Sequence, residues 1–350
     1  MPTKAEVQAQ LKKSGLLGLI GNTPMIRVES LSQLTGREIF MKCENFNPGG
    51  TIKDRPALGM VMNAIVEGKL KPGMSIVEGT AGNTGIGLAM VGHSLGYKVI
   101  VVLPKGQDPS KLKQLSLYGA TIHETEAVAY PDERHFFLTG KRIGTSSPEY
   151  WWANQFDNPH NWGSHYETTA PEMWSQMEGK IDHLVCAAGS SGTIAGVSRF
   201  FKEKNANVKV TLVDPHGSGL CNFVHNKKWD AEGTYTMAEG VGITRPSDNF
   251  SAAHIDGAFT LPDQALTTLA YWLKNKEGLV MGMSSMLNLA GTLKHALTVA
   301  PGSRLVTFLC DGGDRATGKM YNAEFLAEKK LDPTVVSDQE LLSYFKSFNS

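Results

Sequence analysis

The chain has 350 residues, 41% of them hydrophobic and 19% charged, an ordinary globular composition with room for two lobes sharing a cleft. Its formal net charge is zero, so no chain-wide field draws it to nucleic acid or to an anionic membrane. The four cysteines, Cys43, Cys186, Cys221 and Cys310, are far apart with neither a Cys-x-x-Cys pair nor zinc-type spacing, which fits a reducing, cytoplasmic setting.

Residues 1–13 read as a polar, short helical arm without the apolar core of a signal peptide, and no apolar run approaches a membrane span. From there strand-like and helix-like segments alternate. Residues 38–43 form a strand leading into Asn47-Pro-Gly-Gly-Thr-Ile-Lys53-Asp-Arg-Pro56, and a helix is expected over 57–66. Residues 75–78 read as a strand that enters Gly79-Thr-Ala-Gly82-Asn83-Thr84-Gly85 ahead of a helix from 86 to about 95. The β-branched run 98–103 is a strand, 111–118 a helix and 121–125 a strand. A middle region rich in Trp, Asn and Pro spans 150–162, after which 180–188 runs as a strand into Gly189-Ser-Ser-Gly192-Thr193 and a helix. Further strands are expected at 208–213 and 305–310. This alternation predicts an α/β protein of right-handed βαβ units, as two lobes with mainly parallel sheets.

Three loops carry chemistry. Lys53 follows a Pro-Gly-Gly turn and precedes a helix, where burial would remove its proton and make it an amine nucleophile. The 189–193 loop offers bare amides and hydroxyls in front of a helix N-terminus, the composition of a phosphate cradle. It lacks a lysine and magnesium-holding residues, so a terminal monophosphate suits it. The 80–85 loop offers amides and hydroxyls suited to a carboxylate, with Asn83 able to bond a neighbouring oxygen. Each loop by itself also reads as a common turn. Other patterns fail. Gly313-Asp-Arg-Ala-Thr-Gly318-Lys319 nearly matches a P-loop, but Met320 stands where a hydroxyl must hold magnesium. Gly82, Gly85 and Gly87 lack the dinucleotide spacing, no Gly-x-Ser-x-Gly elbow occurs, and no histidine pair has metal-ligand spacing, so no metal is expected. His160 and His165 read as structural, Met281, Met283 and Met286 as core, and Trp151-Trp152 as core or lobe contact.

A buried-lysine loop, a carboxylate loop and a monophosphate loop together describe a pyridoxal 5'-phosphate site for an amino acid. The chain resembles the cysteine synthase/cystathionine β-synthase family of pyridoxal phosphate enzymes, with the tryptophan synthase β-like fold (fold type II). The resemblance runs from about residue 19 to 315 and rests on six motifs in family order. They are Ile20-Gly-Asn-Thr-Pro24, the 47–55 stretch, Thr80-Ala-Gly-Asn-Thr-Gly85, Asn154-Gln-Phe-Asp-Asn-Pro159, Gly189-Ser-Ser-Gly-Thr193 and Gly282-Met-Ser-Ser285. It implies a smaller mobile lobe at 47–158, a larger phosphate-binding lobe made of 14–46 and 159–335, and terminal arms at 1–13 and 336–350. It implies that Lys53 forms the Schiff base and removes the Cα proton, and that Asn83 bonds the cofactor's 3′-oxygen. Gly189, Ser190, Ser191, Gly192 and Thr193 would hold the phosphate, and Ser284 would face the pyridine nitrogen. Thr80, Ala81, Gly82, Thr84 and Gln155, with Gly240 of the cleft-lining loop, would bind substrate. A serine hydroxyl is too weak an acid to keep the ring protonated, which favours expulsion of a β-substituent over transamination or decarboxylation.

The resemblance leaves elimination and replacement open. Ala81 stands where the family has serine, Met286 where glycine is usual, and Glu239 is a charged intrusion in the 238–245 loop. Glu78-Gly-Thr-Ala-Gly and Trp152-Ala-Asn-Gln-Phe-Asp-Asn-Pro look closer to the cysteine desulfhydrase branch. The expectation is therefore β-elimination from L-cysteine to sulfide, pyruvate and ammonia, with cysteine synthesis from O-acetylserine and sulfide as the alternative. Serine or threonine dehydration and non-catalytic cofactor binding are the further alternatives. A homodimer with a small amino-acid substrate, and no nucleic acid or membrane partner, is the family expectation.

Overall fold

The computed structural model describes residues 15–107, 109–231, 236–243 and 247–348, together with Glu6 and Arg245. The expected helical arm at 1–13 thus lies outside the described residues apart from Glu6, as does Thr244 of the 238–245 loop. The strands are β1 (Met25–Arg27), β2 (Glu38–Cys43), β3 (Ser75–Gly79), β4 (Lys98–Pro104), β5 (Thr121–Thr125), β6 (Tyr150–Trp152), β7 (His183–Cys186), β8 (Lys209–Pro215), β9 (Gly257–Leu261) and β10 (Arg304–Leu309). They form a four-stranded sheet in the order β5-β4-β3-β6 and a six-stranded sheet in the order β1-β2-β10-β7-β8-β9. Every pairing is parallel except β1 with β2. Parallel strands need helical crossovers that cover both faces, which explains why β4 reads as an apolar run over residues 99–103 and why β10 is buried from Leu305 to Leu309 rather than on alternate residues.

The core follows the sheets. Helices Asp263–Glu277 and Met283–Ala296 cover one face of the six-stranded sheet, burying Trp272, Leu269, Met286 and Leu289. Helices Ala170–Gln176 and Gly192–Lys204 cover the other with Met173, Ile194, Val197 and Phe201. Helices Asp54–Val66 and Asn83–Ser94 pack on the four-stranded sheet through Met60, Val61, Leu88 and Val91. Trp151 belongs to that third core, whereas Trp152 is half-buried with its ring edge-on to Phe137 at 5.7 Å.

Two helix starts differ from the sequence reading. The helix after Lys53 begins at Asp54 rather than 57, because Pro56 sits in the first turn, where its missing N–H would be unpaired anyway. The next begins at Asn83 rather than 86, so the carboxylate loop is itself a helix N-terminus. A buried charge cluster fixes the lysine loop from behind. Arg55 donates from Nε to Glu44 (2.6 Å) and from both terminal nitrogens to Glu172 (2.8 and 2.7 Å), while Lys42 pairs with Glu172 at 2.8 Å. Glu44, Lys42 and Arg55 are all buried, so each charge depends on its partners for compensation.

Candidate functional site

The site forms where the carboxyl ends of β3, β7 and β10 face a common cavity of about 460 Å³. Lys53, Thr80, Ala81, Gly82, Asn83, Thr84, Gln155, Gly189, Ser190, Ser191, Thr193, Gly240 and Ser284 all line it. Gly192 does not line the cavity. It opens the helix Gly192–Lys204 behind the loop, packed against Asn161.

Lys53 is held there by its neighbours' backbone. Ile52 N–H donates to the Cys310 carbonyl (2.8 Å), and Thr51 bridges to Asp311, so the loop is stitched to the end of β10. The carboxylate of Asp54 accepts from Gly49 N–H at 2.6 Å and closes the Pro-Gly-Gly turn. Lys53 caps the helix Asp54–Val66, so it stands at the positive end of a helix dipole. Burial lowers its ammonium pKa from the usual value, against the opposing pull of Cys310, Cys186 and Asp311. The direction of this shift is the one that the sequence reading asks for in an amine nucleophile. Burial also pushes the Cys310 thiol up to about 12 and that of Cys186 well above its ordinary value, so neither thiol competes as a nucleophile.

The 189–193 loop is built for close approach. A β-carbon on Gly189 would meet the Gly240 carbonyl oxygen at 2.0 Å, and one on Gly192 would meet Asn161 Oδ1 at 1.9 Å. Ser191 takes a left-handed φ of 64° to turn the chain into the helix Gly192–Lys204. The first N–H groups of a helix have no intrahelical acceptor, and here Ser190, Ser191 and Thr193 bring that helix start to the cavity, an arrangement that can accommodate a phosphate. Behind it His165 is fully buried, with Nδ1 2.9 Å from Thr169 Oγ1 and Nε2 3.3 Å from Thr193 Oγ1. Burial, reinforced by Lys53 and Arg55, holds its imidazole pKa well below the ordinary value. His160 pairs with Glu67 at 2.7 Å away from the cavity, so both histidines are structural neighbours here.

The carboxylate loop is tied to Gln155. Thr84 Oγ1 donates to Gln155 Oε1 at 2.6 Å, and Gly82 N–H donates to Thr80 Oγ1 at 3.1 Å. The Gln155 carbonyl accepts from Asn161 (2.6 Å) and Asn249 (2.7 Å), whose amides also reach Ser190. The 80–85 and 189–193 loops are thereby cross-braced. Asn83 donates to Asp311 Oδ2 at 2.7 Å and accepts from Arg315. Ser284 lines the cavity, whereas Ser285 is buried and accepts from Cys310 N–H at 2.8 Å.

Sequence reading missed several cavity residues: Cys186, Cys310, Asp311, Arg315, Lys111 and Lys319. Arg315 and Lys319 lie within the stretch dismissed as a defective P-loop, and their nearness to the cavity comes from the turn after β10. Met286 is fully buried and does not line the cavity, in keeping with its reading as core, whereas Met283, also read as core, lines it. Glu239 does intrude, and it pairs with both Lys111 and Lys319, the latter at 2.7 Å. Lys111 also donates to the Ala81 carbonyl at 2.9 Å.

The donor set suits pyridoxal phosphate: a desolvated lysine, a helix N-terminus of bare amides and a ring-sized cavity between them. Among the described residues, no group of three or more His, Cys, Asp or Glu could hold a metal ion, and no helix is long and apolar enough to cross a membrane. Comparison with known proteins agrees. The model of the family described as pyridoxal-phosphate dependent enzyme matches residues 16–311. Cysteine synthase 2 of Schizosaccharomyces pombe is 41% identical over 350 aligned residues, covering 94% of this chain and 89% of that protein. Cysteine synthase 1 of Neurospora crassa is 41% identical, covering 93% and 87%. Among solved structures, O-ureido-L-serine synthase superposes with a TM-score of 0.79 at 28% identity, covering 94% of this chain and 98% of that one. The chain belongs to the cysteine synthase/cystathionine β-synthase family of pyridoxal phosphate-dependent enzymes.

Proposed function

We propose that this enzyme carries out β-replacement on a β-substituted L-alanine, making L-cysteine from O-acetylserine and sulfide. The observation that carries the reaction class is the convergence of Lys53, the carboxylate loop, the 189–193 loop and Ser284 on one cavity. The names of the relatives supply the direction, because the two fungal proteins are cysteine synthases and the structural neighbour is also a synthase. They favour synthesis over the desulfhydrase reading drawn from the Glu78 and Trp152 motifs, which has no support beyond those motifs.

Pyridoxal phosphate, when bound, supplies an electron sink for the pair left by Cα deprotonation. Lys53 would hold its carbonyl carbon and, once displaced by the substrate amine, take the Cα proton on Nζ. Thr80, Thr84 and Gln155, with the backbone of Ala81 and Gly82, would fix the substrate carboxylate, orienting the Cα–H bond toward Lys53. The amides of residues 189–193 would hold the phosphate, and Asn83 and Ser284 would position the ring. Gly240, whose carbonyl abuts Gly189, would close the cleft over the substrate. The segment 47–158 would move as the smaller lobe against 14–46 and 159–335, excluding water when the carboxylate loop is filled. We further propose a cytoplasmic homodimer.

The test is made on the purified holoenzyme in two tubes. One holds O-acetylserine and sulfide, and the other holds L-cysteine alone with sulfide and pyruvate assayed together. Cysteine formation in the first with little pyruvate in the second is the expected result. Steady release of both products from cysteine alone would overturn the synthase reading in favour of the lyase.

A further inference from the structure

Glu78 is the last residue of β3 before the turn into the carboxylate loop, Gly79 excepted, and it is completely buried. Its carboxyl faces the side-chain amide of Gln155 and the backbone N–H groups of Asn154 and Gln155. Neither of its oxygens makes a well-formed hydrogen bond. A buried carboxyl that faces the Gln155 amide without a well-formed hydrogen bond is costly to a fold and calls for a reason. Gln155 supplies one. Its Oε1 is taken by Thr84, and its carbonyl by Asn161 and Asn249, so the backbone and one end of the amide are fixed. The amide nitrogen is the end that Glu78 can steer.

We propose that Glu78 is a positioning residue that, as a neutral acid, holds the Gln155 amide in place for the substrate carboxylate, an inference that rests on the carboxylate pocket assigned above. The neutral acid accepts from an amide without placing charge under the pocket. The ionised form would set a carboxylate beneath the bound carboxylate of the substrate, in surroundings where screening is weak. Burial, helped by nearby Asp157 and opposed by the Gln155 and Asn154 donors, pushes the Glu78 carboxyl up to about 8. Asp157 is itself paired with Arg245 at 3.2 Å. On the elements packed around Glu78, Lys98 on β4 and Tyr150 on β6 stand opposite Ser75 at the far end of the sheet, since Glu78 pairs with Val101. Lys141 and Arg142 lie in the last turn of helix Phe136–Gly144, and His93 in the last turn of helix Asn83–Ser94. Lys53 and Lys111 line the adjoining cavity.

The experiment measures inhibition of the holoenzyme by propionate, competitive with the amino acid, from about pH 6 to about pH 9. Propionate carries the carboxylate but no amine, so its own charge is constant over this range. In the wild type the inhibition constant should rise about tenfold as pH passes through about 8. Glu78→Gln, a neutral isostere, should keep the tight low-pH constant and lose the rise. Glu78→Ala should bind propionate weakly at every pH while retaining cofactor absorbance. If Glu78→Gln shows the same alkaline rise as the wild type, the proposal is overturned, and the Gln variant alone decides should Glu78→Ala fail to fold. Failure of propionate to compete in the wild type, or an unchanged constant in Gln155→Ala, would instead overturn the carboxylate pocket itself.

Discussion

Lys53 combines the two conditions an amine base needs, a lowered ammonium pKa and a fixed position, since it caps a helix and adjoins a loop stitched to β10. Lys53→Ala should therefore lower turnover by about 10²–10⁴-fold or more with the fold intact, checked by steady-state rates alongside circular dichroism. A second residue reports on the core. Asp214 is buried with Oδ1 unpartnered and Oδ2 accepting from Cys221 N–H at 2.9 Å, and burial pushes its carboxyl from 3.8 to about 7. Because the folded-state value is raised, its contribution to stability is complete below the unfolded value and is lost as pH rises to about 7. Asp214→Asn removes that titration, so its melting temperature relative to wild type should climb between about pH 4 and about pH 7 and level off above. Scanning calorimetry across that range checks it; a constant difference would mean Asp214 does not titrate there. Lys53 was legible from its Gly-Gly turn and neighbouring motifs. Asp311 and Arg315 were not, because what brings them to Asn83 is the placement of β10 against the lysine loop, a contact between distant parts of the chain.

At the scale of elements, two helix N-termini stand at the cavity, one at the 80–85 loop and one at the 189–193 loop. Their glycines were legible as turn residues, but the sequence placed the first helix too late because Asn83 and Thr84 look like loop. Their side chains are satisfied in the structure by Asp311 and Gln155, partners that lie far off in sequence. The 189–193 turn is the less forgiving of the two. Gly192→Ala would put its β-carbon 1.9 Å from Asn161 Oδ1, and Asn161 also braces Gln155 and Ser190. The substitution should cost about 1–3 kcal/mol of stability and weaken cofactor retention. Thermal melts and a pyridoxal phosphate titration of the apoenzyme would show both losses; retention at wild-type affinity would mean that the loop relaxes freely.

Across the whole molecule, the parallel sheets and most of their strands could be anticipated from alternating patterns, whereas β1, β6 and β9 could not, nor could the merging of distant segments into the six-stranded sheet. Glu239 shows the same limit, legible as an oddity in its loop but not as the meeting point of Lys111 and Lys319. Lys111 belongs to helix Pro109–Leu117 and touches the Ala81 carbonyl, so Glu239 links the carboxylate loop to the opposite wall of the cleft. Glu239→Gln should raise KM for the amino acid about two- to fivefold at low salt, the scale of a partly exposed ion pair. The difference should shrink toward nothing at about 1 M salt. Equal KM values for variant and wild type at low salt would show that the link carries no weight in substrate binding. One more consequence follows from strand order. β10, made near the end of the chain, fills the gap between β2 and β7. On the ribosome, at about 5–20 residues per second, those two strands must wait with bare edges until the last of the sheet emerges. Newly made chains are therefore exposed to sticking and to chaperone capture for much of their synthesis, and a truncation before Arg304 should yield aggregate rather than a smaller soluble enzyme.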